Sequence, residues 1–191
     1  GVILHYDGNI WNEWNDVTPQ PIEVLYDVWC DSSDVFAVGA NAVWHYDGID
    51  WENISPSPKY PLYGVWGTSA RDIFVVGELG RAWHYDGKEW IEILSSVPNN
   101  DFRAVFGDTH ENIYAVMEED YILEFDINKR DWKVHSSLVS TSARLHKVWC
   151  SLDGEVFAVG LSGLIVHDDG VNINVLEHYS KGYFTGVWGN S

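Results

Sequence analysis

The sequence repeats itself about every 40 residues, and this repeat limits the chain to folds that are built from one recurring unit. A short apolar segment with an aromatic residue after a valine occurs five times, and its aromatic residues are Trp29, Trp66, Phe106, Trp149 and Trp188. Their separations are 37, 40, 43 and 39 residues. A unit of this size cannot bury its apolar surface alone, so neighbouring units must pack on one another.

Each complete unit contains four short segments that are rich in Val, Ile, Trp, Tyr and Phe. The second segment of the unit occupies residues 34–39, 72–77, 112–117 and 155–160. The third ends in His-Tyr-Asp-Gly or a related sequence, and the fourth begins at a tryptophan or, in the last copy, at Ile173. Gly, Asp, Asn, Ser and Pro separate the segments, which is typical of strands and turns, and no segment has a helical pattern.

The order of these segments predicts the fold. Asp47-Gly48 and Asp86-Gly87 lie between the third and fourth segments, and Asp-Gly between strand formers predicts a tight hairpin because glycine accepts positive φ. Each unit is therefore predicted to be a four-stranded antiparallel meander. A period near 40 residues with four strands per unit is typical of a β-propeller, in which each sheet is one blade around a central channel.

The two ends of the sequence contain parts of one further unit. The first residues supply a third strand at Val2–Tyr6 and a fourth around Trp11, and Phe184–Gly189 supplies a first strand, but the second strand is missing. We therefore predict an all-β domain spanning 1–191, with four complete blades and a blade shared between the termini, in a five-bladed ring or a stretch of a larger propeller. The predicted repeats are 1–21, 22–59, 60–99, 100–142, 143–181 and 182–191.

The repeat resembles a family of bacterial propeller repeats with a consensus close to V-W-G-x-S-x-x-D-V-F-A-V-G-x-x-G-x-I-x-H-Y-D-G-x-x-W. The second copy matches it closely, with Val65-Trp-Gly-Thr-Ser, Asp72-Ile-Phe-Val-Val-Gly and His84-Tyr-Asp-Gly-Lys-Glu-Trp. The third copy departs most, with Phe106 for Trp and Met117 for Gly. The resemblance implies the propeller fold and a secreted or cell-surface location in a bacterium. It implies no particular function, because such repeats are a scaffold.

Charge excludes several classes of ligand. The chain has 11 Lys and Arg against 29 Asp and Glu, a net charge of −18. Nucleic acids and anionic membrane surfaces bind through Lys and Arg, so neither is an expected partner. No apolar run reaches the roughly 18 residues of a membrane span, so no membrane insertion is predicted. Cys30 and Cys150 lie three repeats apart, too far across a channel for a disulfide, and are predicted to be free thiols.

Residues that recur at one repeat position are expected to build the scaffold. A histidine recurs once per blade in the third strand, which predicts a hydrogen bond within each blade and no shared metal site; these residues are His5, His45, His84 and His167. Turn formation is predicted for Asp7, Asp47, Asp86 and Asp169, and a turn or cap role for Asp34, Asp72 and Glu155. The recurring tryptophans are predicted to pack between blades. No cofactor is expected.

Positions that differ between copies are the candidates for function, since a scaffold position is the same in every blade. The second and third residues of the first strands, together with the loops after the second strands, should meet at the mouth of the channel. The candidate ligand-binding residues of this rim are Tyr26, Asp27, Tyr63, Glu78, Arg103, Glu118, His146 and Lys147. The long connections at 55–60, 95–101 and 136–144 should reach the same face.

We predict a noncatalytic binding module that presents this rim to a glycan or a protein. The alternative is a propeller glycoside hydrolase, which needs two carboxylates about 5 to 9.5 Å apart, one often with a raised pKa. Only Asp27 is acidic within the first strands, and Glu78 and Glu118 could contribute only from loops, so no catalytic residue is assigned. The sequence does not set the oligomeric state.

Overall fold

The computed structural model describes residues 3–13, 24–56, 60–97, 99–109, 111–138, 144–177 and 182–190. An N-terminal hairpin consists of β1 (Leu4–Tyr6) and β2 (Trp11–Glu13). Blade 1 contains β3 (Leu25–Cys30), β4 (Val35–Gly39), β5 (Val43–Tyr46) and β6 (Trp51–Asn53). Blade 2 contains β7 (Leu62–Ser69), β8 (Asp72–Gly77), β9 (Ala82–Tyr85) and β10 (Trp90–Ser95).

Blades 3 and 4 repeat this order. Blade 3 contains β11 (Phe102–Gly107), β12 (Ile113–Met117), β13 (Tyr121–Asp126) and β14 (Asp131–Ser137). Blade 4 contains β15 (Leu145–Cys150), β16 (Val156–Gly160), β17 (Leu164–Asp168) and β18 (Ile173–Glu177). In the described chain the remaining regular structure is two single 3₁₀ turns, at Glu78–Gly80 and Leu161–Gly163.

Within each blade, consecutive strands pair antiparallel, so every blade is the predicted meander. The outer strands of blades 2 and 3 also meet: β10 pairs parallel with β14 through Leu94 to Asp131 and Ser95 to Trp132. The two blades are therefore joined edge to edge in one eight-stranded sheet.

The first strands of the blades form the inner layer of the molecule. β3 packs on β7, β7 on β11 and β11 on β15, while Lys147 of β15 reaches back to Asp27 of β3 at 3.2 Å. The four blades thus stand around a common channel with their first strands innermost. The fold is a β-propeller with four complete blades, as the repeat predicted.

The aspartates of the His-Tyr-Asp-Gly motif close the outer hairpins as predicted. The Asp47 carboxylate accepts the backbone N–H groups of Ile49 and Asp50 at 2.9 Å each, and Gly48 adopts a φ of +93°. The same pair of bonds occurs at Asp7, Asp86 and Asp169. These backbone N–H groups hold the pKa of each carboxyl below its usual value, because they stabilise the charged form.

The recurring histidines bind within their own blades, and the predicted structural role is confirmed for two of them. His45 Nε2 lies 2.7 Å from Asp34 Oδ1, and His84 makes the same contact with Asp72 at 2.7 Å. Asp31 closes the turn before β4 by accepting the backbone N–H groups of Ser33 and Asp34, and Asp34 joins that turn by accepting the Ser33 hydroxyl at its Oδ2. The Asp34 carboxylate, just before β4, therefore also bonds to His45 of the neighbouring strand β5.

Tryptophans pack between the complete blades, as predicted. Trp66 lies in the cluster that blades 2 and 3 share, and a Cβ at Gly107 would lie 2.7 Å from its ring. At the contact between blades 3 and 4 the smaller Phe106 stands in place of the tryptophan, and Cys150 stands in place of the glycine. Burial raises the pKa of the Cys150 thiol to about 12. Both cysteines are free thiols, and Cys30 is exposed.

One contact between blades replaces apolar side chains with a histidine and a carboxylate. Three residues after the fourth-strand tryptophan the repeat has Ile54 and Ile93, which join apolar clusters with Tyr85 and Phe125 of the next blade. Blade 3 has His135 at this position, and blade 4 meets it with Asp168. His135 Nε2 lies 2.9 Å from Asp168 Oδ2, and its Nδ1 lies 3.3 Å from Glu124 Oε2.

The fifth blade is present in part. The N-terminal hairpin supplies the predicted third and fourth strands within residues 3–13, while Val2 lies outside the described residues. The strand predicted at Phe184–Gly189 is wrong: residues 182–190 form no strand, because no described strand pairs with them. The segment is held by two backbone bonds to blade 4, from Phe184 N–H to the Gly160 carbonyl and from Gly163 N–H to the Gly182 carbonyl.

Candidate functional site

The rim of the channel is built at four β-bulges, one in each first strand. The pairing of each first strand with its second strand skips one residue, between Leu25 and Asp27, Leu62 and Gly64, Phe102 and Ala104, and Leu145 and Lys147. The skipped residues are Tyr26, Tyr63, Arg103 and His146, which are four of the predicted rim residues. A bulge leaves its extra residue out of the ladder and redirects its side chain, which is why bulges occur next to binding sites.

Aromatic rings and an arginine join neighbouring blades at this rim. The rings of Tyr26 and Tyr63 lie 5.3 Å apart, tilted by 59°. The Arg103 guanidinium lies 4.9 Å from the centre of the Tyr63 ring, within the range of a cation–π contact. Burial, followed by the charge of Asp101, raises the pKa of Tyr63, so this phenol is neutral at physiological pH. The rim therefore presents a pair of tyrosines in contact with the positively charged Arg103.

Carboxylates neutralise the rim cations. Glu118 accepts a hydrogen bond from Arg103 and forms an ion pair with Arg144, and Arg103 lies 3.7 Å from Asp101. Burial acts to raise the pKa of Glu118, but the hydrogen bond and charge of Arg103, with the charge of Arg144, outweigh it and hold the pKa below its usual value. Glu118 is therefore a carboxylate at neutral pH.

A second ion pair crosses the channel. Lys147 of blade 4 lies 3.2 Å from Asp27 Oδ1 of blade 1, and Asp27 Oδ2 accepts the backbone N–H of Val65 at 3.2 Å. His146 stands beside the Arg103 and Glu118 pair, and burial, followed by the charge of Arg103, lowers its pKa. The imidazole is consequently neutral at physiological pH. These contacts fix the rim side chains relative to one another.

The structure brings the eight predicted rim residues together. Glu78 follows β8, where its backbone N–H donates to the Pro61 carbonyl and its charge acts on Tyr63. Two further residues belong to the site and were not among the predicted eight, Asp101 and Arg144. Each is the last residue of a long connection that was predicted to reach this face. Their position in the repeat could therefore have identified them as rim residues. Parts of those connections, at 57–59, 98 and 139–143, lie outside the described residues.

The arrangement does not resemble the acid pair of a glycoside hydrolase. A general acid needs a raised pKa, whereas the pKa of Glu118 is lowered. Asp27 is held by Lys147 and by the backbone N–H of Val65. The rim carboxylates thus serve to position cations.

Neither a metal-binding cluster nor a membrane-spanning helix occurs among the described residues. No group of three or more His, Cys, Asp or Glu side chains is placed to hold a metal ion in the described ranges. Over the same ranges, no helix has the length and apolar composition needed to cross a membrane.

Comparison with known proteins supports the fold. No family model and no curated protein sequence matches the chain. Among solved structures, YCF48 from Cyanidioschyzon merolae is similar with a TM-score of 0.69 and 16% identity, over 90% of this chain and 62% of that one. The WD40 β-propeller domain of Doa1 has a TM-score of 0.67 and 8% identity, over 81% of this chain and 53% of that one.

A third similar structure is the extracellular domain of the hybrid two-component system BT4673 from B. thetaiotaomicron. Its TM-score is 0.65 at 13% identity, over 83% of this chain and 23% of that one. The chain spans less than two thirds of the length of each of these three structures. At such identities the likeness establishes the β-propeller fold and nothing about the ligand.

Proposed function

We propose that this propeller is a noncatalytic scaffold that binds a polypeptide partner on its channel rim. The observation that carries the proposal is that the four bulge residues, which differ from blade to blade, form one connected surface with Tyr63 and Arg103 at its centre. Tyrosine and arginine are enriched among the residues that dominate protein interfaces. Because the ion pairs already hold these side chains in place, binding loses little side-chain entropy.

A polypeptide fits the rim better than a glycan. Sugar rings stack on an open aromatic face, but Arg103 covers a face of Tyr63 and Tyr26 meets the same ring at a tilt. Polar peptide groups can instead bond to the Glu118 and Asp101 oxygens that surround Arg103. Carboxylates outnumber cations among the residues of this rim, which favours a partner segment that contains lysine or arginine.

The proposal is tested with peptides selected from a random display library against the whole chain. We expect the selected peptides to bind at least 30-fold more weakly to Tyr63→Ala and to Arg103→Ala, the loss typical of an interface hot spot of about 2 kcal/mol. Arg81→Ala is a matched control, because Arg81 also lies over a tyrosine, Tyr60, at 4.2 Å and pairs with a glutamate, Glu92, at 2.9 Å. Thermal unfolding of each variant checks that it remains folded.

Two results contradict the proposal. Peptides that bind all three variants as tightly as the original chain would place the interface elsewhere. Selective binding on a glycan array, lost in Tyr63→Ala and with no peptide selected, would show that the rim recognises carbohydrate.

A further inference from the structure

A cavity of about 230 Å³ lies at the end of the first strands that is opposite the rim. It is bounded by the last residues of β11 and β15, by the turns that follow these strands, and by the segment at 182–190. The bulge residues of the rim occupy the second position of the same strands, so the cavity and the rim share no residue. We call this space the aromatic cavity, and its lining residues are Phe106, Gly107, Asp108, Trp149, Cys150, Leu152, Trp188 and Gly189.

The aromatic cavity lies where the repeat changes its packing residue. Between blades 2 and 3, Trp66 is 6% exposed and meets Gly107 of the next first strand, so the indole fills that contact. Between blades 3 and 4 the phenyl ring of Phe106 stands in place of an indole and occupies less volume. A smaller ring at a packing position leaves space unless its neighbours move in. The substitution therefore accounts for the space at this contact.

Two tryptophans complete the wall of the aromatic cavity. A Cβ at Gly189 would lie 2.7 Å from the Trp149 ring, so the segment at 182–190 sits against Trp149 as β11 sits against Trp66. This contact brings in Trp188, the residue before Gly189, which is 81% exposed. Three aromatic side chains from successive copies of the repeat therefore line one space, and they are Phe106, Trp149 and Trp188.

The charge of the aromatic cavity comes from Asp108, which has the one charged side chain among its described lining residues. The Asp108 carboxylate accepts hydrogen bonds from the Thr109 hydroxyl at 2.9 Å and from the Asn112 amide at 3.1 Å, and these neutral donors leave its negative charge in place. Burial, followed by the charge of Asp108, raises the pKa of the Cys150 thiol in the cavity wall to about 12. The negative charge therefore acts on the cavity.

This lining favours one class of ligand. Aromatic faces and a carboxylate both attract a cation, whereas the carboxylate repels an anion. Ammonium groups with N–H donors, and sugars with hydroxyls, would lose hydrogen bonds to water in a space lined mainly by rings, glycine and leucine. A quaternary ammonium group has no N–H donor to leave unpaired. The volume of about 230 Å³ is below the roughly 300 to 1,000 Å³ of sites for drug-sized ligands, so the cavity suits a headgroup.

We propose that the aromatic cavity binds a quaternary ammonium group, with its methyl groups against Trp149 and Trp188 and its charge near Asp108. Free choline and trimethylated lysine side chains both carry this group. The cavity lies at the opposite end of the first strands from the rim, so the proposal does not depend on the function proposed for the rim.

The test titrates the whole isotope-labelled chain with choline and follows the indole N–H signals of its tryptophans by NMR. We expect the signals of Trp149 and Trp188 to shift with saturation and the signal of Trp11, which is also exposed, to stay. The neutral isostere of choline, in which a tert-butyl group replaces the trimethylammonium group, should bind roughly tenfold more weakly because it loses the cation–π attraction.

A second titration, with N-acetyl-trimethyllysine amide, identifies the source of the ammonium group. Binding tighter than that of choline supports the proposal with a modified polypeptide as the ligand. Binding equal to or weaker than that of choline supports it with a free small cation as the ligand.

Two variants locate the site, with Trp149 as the reporter in both. Trp188→Leu removes an aromatic face and Asp108→Asn removes the charge, and each should weaken choline binding about fivefold, the value of one partly exposed contact. Trp11→Leu and Asp31→Asn are matched controls that should leave binding unchanged, because Trp11 is 67% exposed and Asp31 holds the repeat position of Asp108 in blade 1. Thermal unfolding verifies that each variant remains folded.

Three results overturn the proposal. Absence of saturable choline binding means that the cavity is not an ammonium site. Equal binding of choline and its neutral isostere means that the cavity takes apolar groups without regard to charge. Choline binding that is unchanged in both Trp188→Leu and Asp108→Asn places the ammonium site elsewhere on the molecule.

Discussion

The polar contact of His135 with Asp168, between blades 3 and 4, can be exchanged for the apolar contact that the repeat uses elsewhere. The substitutions are His135→Ile and Asp168→Tyr, made singly and together. They give this contact the residue types of Ile54 and Tyr85, which stand at the equivalent positions between blades 1 and 2. The Asp168 side chain is 6% exposed and that of His135 is 23% exposed. Removing one member of such a pair leaves a buried charge without its partner, whereas replacing both removes the cost of desolvating them.

The expected magnitudes follow from this burial. His135→Ile should lower the free energy of unfolding by about 3 kcal/mol, at the low end for a buried pair because part of the histidine is in water. The Asp168 carboxylate also keeps its hydrogen bond from Gly170 N–H. Asp168→Tyr should cost about 1 kcal/mol, the net value of one hydrogen bond. The double variant should lie within about 1 kcal/mol of the original chain, which gives a coupling energy of about 3 to 5 kcal/mol.

Urea unfolding followed by tryptophan fluorescence measures these values, since 11 tryptophans report on the blades. The slope with denaturant should be the same in all four proteins, so that midpoints compare stability directly. If the losses of the two single variants simply add in the double variant, with a coupling below about 0.5 kcal/mol, the reasoning is refuted.

Three further predictions concern the scaffold. Gly107→Ala places a Cβ 2.7 Å from the Trp66 ring and 2.8 Å from the Asn112 carbonyl oxygen, and should cost about 1 to 3 kcal/mol in urea unfolding. A fully stable Gly107→Ala would contradict the packing account. The turn aspartates have a pKa below the ordinary value of 3.8, so their stabilisation is present above pH 3.8 and is lost as the pH falls through the lower native pKa. Melting temperatures should decline there, and less so in Asp47→Asn, which keeps the turn without titrating. A thiol reagent at pH 8 should modify Cys30 in the native protein and Cys150 only after unfolding, because burial raises the pKa of Cys150 to about 12; rapid modification of both would disprove this.

Most of the fold followed from the sequence because the repeat carries the information four times. The spacing of the aromatic residues predicted the number of complete blades, and the Asp-Gly steps predicted the outer hairpins. The segment at 184–189 was predicted as a strand from its similarity to β3 and β7, but a strand needs a partner, and no described strand pairs with it. Pairing is a property of two segments, so the pattern of one segment could not determine it.

The candidate site could be predicted by comparing the repeat copies and selecting the positions at which their residues differ. That comparison found Tyr63 and Arg103, but the bulges that bring them to the rim are irregularities of register and leave no mark in the residue types. His135 and Asp168 were missed although the signal was present, since His replaces Ile and Asp replaces Tyr in the repeat. The sequence predicted a hydrogen bond for His45 but not its partner, because the turn at 31–34 contains two aspartates and only the structure shows which one the imidazole meets.

Under the proposed function, the bulge that recurs in each first strand separates recognition from stability. The bulge residue makes no ladder contact, so tyrosine, arginine and histidine all occupy it while the neighbouring valines stay buried. Substitutions at these positions can therefore change what the molecule recognises without disturbing its folding. A propeller of this kind can diversify its ligands by accumulating changes at one position per blade, and copies of the scaffold with unrelated ligands are expected to differ there first.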